Sequence, residues 1–379
     1  MTTRSPADPS LPLADLMSAA VPAPGGGPDG GDRPEPAPRR ARRRRRRPLL
    51  IALALLCVLL VAGAGTAWWT VHGLESNIGH EDGVFDRTAL PDAGPRPEAD
   101  AAAGRAVNIL LVGSDSRGPA STGSEADADF ESQRGNRTDT MMLLHIPSDR
   151  SAIHAVSIPR DSWVPIPGHG EAKINAAFSW GGPRLLVATV EGLTGVRVDH
   201  YVAVDFDGFK AMVDTLDGVD VTLKQAAHDP SQNVDFAAGV NHLDGARALQ
   251  FVRQRHGLAR GDFDRVVRQQ QLLAAIAGKT LDDGVLSHPL RTRSLLDSMT
   301  RTMTVDSGFG LTEMLGLASS LKDVRTSRLD FRTVPTTGTG WKGKQSVVLL
   351  DSARSAELFA AIRKDTTWPA PAKGETWKP

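Results

Sequence analysis

The sequence predicts an α/β protein: a layered α/β/α domain around a central mixed β-sheet, preceded by one transmembrane helix. Three observations carry that expectation. Short apolar runs at residues 107–112, 141–146 and 153–158 have the length and composition of buried strands. Between and after them come stretches with helical spacing, so strands alternate with helices, as in layered α/β domains. Ahead of all of them, 23 uncharged residues at 49–71 follow an arginine run directly.

Taken in order, residues 1–47 form a Pro-, Ala- and Gly-rich tail with too little apolar surface to order itself. The tail ends in eight arginines between positions 39 and 47, broken only by Ala41. Residues 48–71 are read as the membrane span, since roughly 20 apolar residues cross a bilayer. Trp68 and Trp69 fall at its interfacial end. The arginines hold the N-terminus in the cytoplasm and leave the remainder outside, as a single-pass cell-membrane protein. Residues 72–104 are read as a linker, 105–367 as the catalytic domain and 368–379 as a tail.

Within the domain, helices are expected at 183–194, 206–216, 244–252, 263–277, near 285–300, at 310–321 and at 352–363. Further strands are expected at 202–204, 219–223 and 329–334. The single cysteine, Cys57, lies in the apolar run, so no intrachain disulfide forms. The formal charge of zero hides a segregation. Residues 1–47 hold ten arginines against five acids, leaving 34 basic and 39 acidic residues, a net of −5, in the other 332. That sign argues against nucleic acid as the folded part's partner.

Four segments concentrate charge at the ends of expected strands or the start of a helix, where α/β sheets build their sites. They are Gly113-Ser114-Asp115-Ser116-Arg117, Arg137-Thr138-Asp139-Thr140, Ser157-Ile158-Pro159-Arg160-Asp161, and the stretch 251–270. The last holds Arg253, Arg255, Arg260, Arg265, Arg268, Asp262 and Asp264, with no lysine or glutamate. Guanidinium used so exclusively suits a planar, two-toothed partner such as phosphate. Aspartates without His or Cys suit magnesium or manganese and not zinc. Each segment also has an ordinary structural reading. Asp264 and Arg268, four apart on a helix, have the spacing of a surface ion pair.

These segments resemble the LytR–CpsA–Psr family of bacterial envelope proteins. The resemblance runs through residues 108–113 with Asp115 and Arg117, 137–140 and 157–161. It continues through Lys173-Ile174-Asn175-Ala176-Ala177-Phe178, Asp199-His200-Tyr201, Asp205-Phe206, Leu243-Asp244-Gly245, Arg253-Gln254-Arg255 and 262–270. Asp217-Gly218 departs from the glycine pair usual in the family. The resemblance implies a ligase that moves a glycopolymer from a polyprenyl-pyrophosphate carrier to a peptidoglycan hydroxyl, forming a phosphodiester and releasing polyprenyl phosphate. It implies magnesium, or manganese, on Asp115 and Asp139. Arg117, Arg160, Arg253 and Arg255 would grip the pyrophosphate, completed by Arg265, Arg268 and Gln269, with Lys173 and Asp262 as further candidates. Asp161 or Asp262 would be the base. A slot for the polyprenyl tail is expected between Leu185, Leu186, Val190, Phe209, Met212 and Val213, although such stripes are ordinarily core.

Two other functions stay open at this point: a hydrolase of the same lipid carrier, and a membrane-bound transcriptional attenuator acting through the basic tail. The run Gly338-Thr339-Gly340-Trp341-Lys342-Gly343-Lys344 has the glycines and lysines of a phosphate loop. It lacks the closing Gly-Lys-Ser/Thr and a following helix, and is discounted. His256, alone beside Arg255, is read as a hydrogen-bonded neighbour.

Overall fold

A computed structural model describes residues 71–114, 138–254, 256–258, 260–281, 289–371 and 376–377; of Asp139 and Asp262 only the backbone is described. The basic tail and the apolar run as far as residue 70 lie outside these residues. Among the described residues no helix is long and apolar enough to cross a membrane.

The chain enters through β1 (Gly79–Glu81), β2 (Val107–Ser114), β3 (Thr138–Ile146) and β4 (Ile153–Ser157). A hairpin of β5 (Trp163–Ile166) and β6 (Gly170–Lys173) leads to α1 (Asn175–Thr194), β7 (His200–Asp205) and α2 (Phe206–Thr215). Four short strands follow: β8 (Val219–Leu223), β9 (Ala227–Asp229), β10 (Val234–Phe236) and β11 (Gly239–Leu243). Then come α3 (Gly245–Arg253), α4 (Asp262–Leu281), α5 (Pro289–Thr300), β12 (Met303–Asp306), α6 (Leu311–Ser320) and β13 (Leu329–Thr333). The hairpin of β14 (Thr336–Lys342) and β15 (Gln345–Leu350), α7 (Ser352–Arg363) and β16 (Thr376–Trp377) complete it.

Eight described strands make one mixed sheet in the order β1-β12-β7-β2-β3-β4-β13-β16. Its centre runs β7 parallel to β2, β2 antiparallel to β3 and β3 antiparallel to β4. Because successive strand side chains point to opposite faces, β2 serves two cores. Leu110 and Val112 pack with Leu186 and Val190 of α1 and Phe359 of α7. Ile109 and Leu111 pack on the other face with Val305 and Leu311. Helices thus cover both faces of the sheet.

Helix starts follow capping chemistry. Asp205, Asp244 and Asp351 accept from the backbone N–H of Gly208, Arg247 and Arg354 at the starts of α2, α3 and α7. Helix α1 begins eight residues before the expected 183, because Gly181 and Gly182 leave helical geometry and mask its first turns. A Cβ at Gly181 would meet Leu185 Cβ at 2.5 Å. At the family's glycine pair, Asp217 and Gly218 both have positive φ, 59° and 72°. Aspartate is among the residues that tolerate this conformation, so the departure leaves the turn intact.

Two boundaries need correction. The stretch read as a linker is packed onto the domain: Leu74, Ile78 and Val84 are buried, and β1 pairs in parallel with β12. A few scattered apolar residues among polar ones sustain no period, so the sequence hides this docking. At the other end, Trp368 stacks on His154 at 4.6 Å and β16 pairs with β13, so residues 368–379 are not simply a tail.

Candidate active site

The described parts of the four segments lie at one end of the sheet. Ser114 ends β2 beside Thr138, the first residue of β3, and beside Asp205, the last of β7. Ser157 ends β4 beside Thr333, the last of β13. The register shifts between Gly113 and Ser114, which pair with Thr140 and Thr138 and leave Asp139 as the extra residue of a bulge. Bulges break ladder pairing where a chain must redirect a residue. Next to it Thr138 is fully buried, and its hydroxyl oxygen has no hydrogen-bond partner among the described residues.

The turn after β4 is held by backbone bonds. Asn175 N–H donates to Arg160 O at 3.2 Å, Ile174 N–H to Ser162 O at 2.9 Å, and Val348 N–H to Asp161 O at 2.9 Å. On that frame Lys173 Nζ lies 3.0 Å from Asp161 Oδ1, and Arg160 Nε lies 3.7 Å from Asp161 Oδ2. The Arg160 side chain is only 12% exposed.

Helix α4 is fastened to the same strand ends by Gln270, which sequence reasoning did not single out as functional. Its Nε2 donates to Ser157 Oγ at 2.9 Å, to Arg332 O at 3.1 Å and to Thr333 Oγ1 at 3.3 Å. The signal was present as an amide closing the run Arg268-Gln269-Gln270, but its partners are distant in sequence. Arg265, Arg268 and Gln269 lie just before it on the helix and are buried.

Arg268 does not form the surface pair its spacing with Asp264 suggested. Asp264 instead accepts from Arg260 N–H and Nε, both at 2.8 Å. Arg268 is 5% exposed, with its guanidinium 4.5 Å from the Phe251 ring centre and 5.3 Å from that of Phe236. Burial pushes its pKa down to about 10, against the opposing pull of Asp264 and Asp229. Its Nη1 is buried without a hydrogen-bond partner among the described residues. A buried guanidinium braced by two rings, with a donor unspent, suits an incoming anion. Arg253, at the end of α3, is exposed and stacks over Phe206, the residue after Asp205, at 4.9 Å. His256 is an exposed turn residue whose carbonyl accepts from Gln254 Nε2.

Of the expected site residues, Arg160, Asp161 and Lys173 lie at the turn after β4, Arg253 stacks over the residue that follows β7, and Arg265, Arg268 and Gln269 lie on α4 within five residues of Gln270. Asp115, Arg117 and Arg255 lie outside the described residues, as do the side chains of Asp139 and Asp262. Among the described residues, the six expected to line a lipid slot do not share one core. Leu185, Leu186 and Val190 belong to the core under α1 and α7, while Phe209, Met212 and Val213 belong to a separate core with α3 and α4. Both triplets have helical spacing, but spacing says only that a face is covered, not by which element. The discounted glycine–lysine run forms the hairpin β14–β15.

Residues 85–364 match the model of the LytR_cpsA_psr family, and the chain belongs to that family. It is 33% identical over 351 residues to the cell wall biosynthesis protein LcpA of Corynebacterium glutamicum, covering 84% of this chain and 65% of that protein. It is 38% identical over 276 residues to the probable cell wall biosynthesis protein LcpB of the same organism, covering 72% and 64%. The chain thus spans a little under two thirds of the length of these relatives. Over 174 residues it is 37% identical to the polyisoprenyl-teichoic acid–peptidoglycan teichoic acid transferase TagU of Bacillus anthracis, covering 46% and 52%. Among solved structures, B. subtilis TagV superposes with a TM-score of 0.55 at 25% identity, covering 69% of this chain and 98% of that one. TagT bound to LI-WTA gives 0.55 at 25% identity, covering 74% and 98%.

Proposed function

We propose that this protein is an envelope glycopolymer transferase, attaching a polymer from a polyprenyl-pyrophosphate carrier to peptidoglycan through a phosphodiester. The observation that carries the reading is Arg268: a buried guanidinium, braced by Phe236 and Phe251, with Nη1 unpartnered among the described residues, at the sheet end that also carries Arg160 and Lys173. The names of the relatives LcpA and TagU support the same reading.

In this reaction the acceptor hydroxyl oxygen attacks the phosphorus that bears the polymer. A new O–P bond forms, the bridging P–O bond breaks, and polyprenyl phosphate leaves with the electron pair. The hydroxyl proton passes to a carboxylate, Asp161 beside Lys173 or else Asp262. Guanidinium groups of Arg160, Arg253, Arg265 and Arg268, with Arg117 and Arg255, compensate charge as it moves onto the leaving phosphate, and Gln269 helps close the pocket; positioning of this kind is how phosphoryl transfer is stabilised. Asp115 and Asp139 would hold a magnesium or manganese ion. An all-oxygen donor set fits such a hard cation, and the unpartnered Thr138 hydroxyl beside Asp139 adds one more oxygen of that kind. When bound, the ion neutralises phosphate charge. Residues 48–71 anchor the protein in the membrane, with the basic tail inside and the domain in the envelope.

The test is to incubate the full-length chain with lipid-linked polymer and peptidoglycan. Polymer joined to peptidoglycan by a phosphodiester, with polyprenyl phosphate released, is expected. Free polymer phosphate without attached product would replace the transferase with a hydrolase.

A further inference from the structure

Two tryptophans, Trp163 and Trp180, lie on and beside the β5–β6 hairpin that adjoins Asp161, and the site as described makes no use of them. In β5–β6 the Cα partners are Trp163 with Lys173 and Pro165 with Glu171. Val164 and Ile166 are buried, so Trp163, Pro165, Glu171 and Lys173 share the outward face. Lys173 holds Asp161 at one end of that face. Next along it, Trp163 Nε1 donates to Glu171 Oε2 at 3.0 Å, and Lys342 from β14 lies 5.8 Å from the Trp163 ring centre and 4.0 Å from the same carboxylate oxygen. The β14–β15 hairpin is fixed there by the bond from Val348 N–H to Asp161 O and by the bridge between Ser162 and Val348. Its Trp341, 73% exposed, precedes Lys342 in the strand and so points to the other face of the hairpin. Beyond the turn of β5–β6, His169 stacks on Trp180 at 4.7 Å, and Trp180 is 37% exposed.

A half-buried Trp163 and an exposed Trp180 are not explained by folding alone, because aromatic surface left in water forgoes its burial. An indole bordered by a carboxylate and an ammonium offers a flat apolar surface with polar groups at its rim. A pyranose ring has the complementary form, a C–H face edged by hydroxyls. We propose that this ledge is the acceptor subsite, where successive sugars of a peptidoglycan glycan strand lie from Asp161 along β5–β6, with Trp180 as the outer contact. The inference rests on the transferase reading and adds the acceptor's location to it. The acceptor, not the donor, is assigned here because the ledge begins at Asp161, so a sugar lying on it presents its hydroxyl to that carboxylate. A four-residue strand spans roughly 13 Å, which extends the ledge beyond a single sugar. Tryptophan with lysine also occurs at membrane interfaces. Glu171, wedged between Trp163 and Lys342, would repel anionic headgroups, whereas it accepts readily from sugar hydroxyls.

The experiment uses the full-length chain and its Trp163→Ala, Trp341→Ala, Trp180→Ala and Trp163→Phe variants, with thermal melting to verify folding. Soluble uncrosslinked peptidoglycan strands are titrated by tryptophan fluorescence and used as acceptor. Hydrolysis of the lipid-linked donor by water is measured without them. Trp163→Ala is expected to raise the strand concentration for half-maximal binding and transfer about tenfold, with donor hydrolysis unchanged and Trp163→Phe restoring most of the loss. Trp180→Ala should give a smaller shift in the same direction, and Trp341→Ala, on the other face of its hairpin, none. Equal strand affinity in all folded variants overturns the proposal, as does a parallel loss of donor hydrolysis. Loss of binding to phosphatidylglycerol vesicles alone would overturn it in favour of a membrane contact. If the wild type binds strands through these tryptophans but transfers nothing to them, the transferase reading fails and the saccharide ledge stands.

Discussion

The two ends of the central sheet carry similar kinds of charged residue and treat them differently. At the end away from the candidate site, Glu191 and Asp365 are closed by partners within the chain. Glu191 is buried and takes Arg87 and Arg96 together, and its Oε1 also accepts from Val198 N–H at 2.9 Å. His145 lies between Asn108 Oδ1 at 2.8 Å and Asp365 Oδ1 at 3.1 Å, while Asp365 Oδ2 accepts from Ser148 N–H and Oγ. At the site end, Arg268 is as deeply placed but is braced by rings, with a donor left over. Charge closed within the chain holds the fold, whereas a buried charge with an unspent donor is a cost that a ligand relieves. Hydrogen-bond completion, more than charge, separates Glu191 and Asp365 from Arg268.

The largest effect should come from opening the closed end. Glu191→Ala leaves Arg87 and Arg96 without their shared carboxylate, and removing one member of a buried ionic cluster costs about 3–5 kcal/mol. Urea unfolding should show that loss, with donor hydrolysis per folded molecule unchanged. Slightly smaller, and opposite in kind, is the effect at the site end. Arg268→Met should lower kcat by about 100- to 1000-fold, the range for removing a charge-stabilising donor. Its melting temperature should hold or rise, because a buried charge is replaced by an apolar side chain that still packs on Phe236 and Phe251. A fall in stability as large as that of Glu191→Ala would erase the distinction between the two ends.

Much of this was legible in the sequence where the pattern is local. The strands at 107–112, 141–146 and 153–158 and the closing helix 352–363 announce themselves by period, and their apolar faces dictate the central sheet. The charged segments fall at strand ends because such turns cannot be core. The missed elements are either stabilised by something distant or too mixed to carry a pattern. Strand β1 is three residues, Gly-His-Glu, ordered only by pairing with β12 more than 200 positions later. Both flanking hairpins are built of short strands broken by Pro165, Gly338 and Gly340, too mixed to show a period. The burial of Arg268 was unreadable for the first reason: Phe236 and Phe251 reach it from β10 and α3, whereas Asp264 was the neighbour in view.

The smallest effect sharpens the comparison by pH. Burial pushes the His145 pKa below its ordinary value, with the neighbouring Asp365 opposing and His154 adding to the fall. The folded state therefore binds fewer protons at His145 than the unfolded chain does, so its stabilising contribution is complete above about pH 6.5 and is lost as pH falls below that. Burial alone would raise the Asp365 carboxyl, but Ser148 and His145 together hold it below the usual carboxylate range. Its own contribution is lost only on further acidification, below about pH 4. Arg332 and Asp330 also face this cluster, through Trp368 and His154. Between pH 7 and 5.5 the wild type should lose stability with a slope of at most about 1.4 kcal/mol per pH unit for one proton. His145→Gln should flatten that slope while being less stable at pH 7. Arg268, pushed down only to about 10, stays charged throughout and contributes nothing to it. A slope that persists in His145→Gln would mean that the acid sensitivity arises outside the closed end.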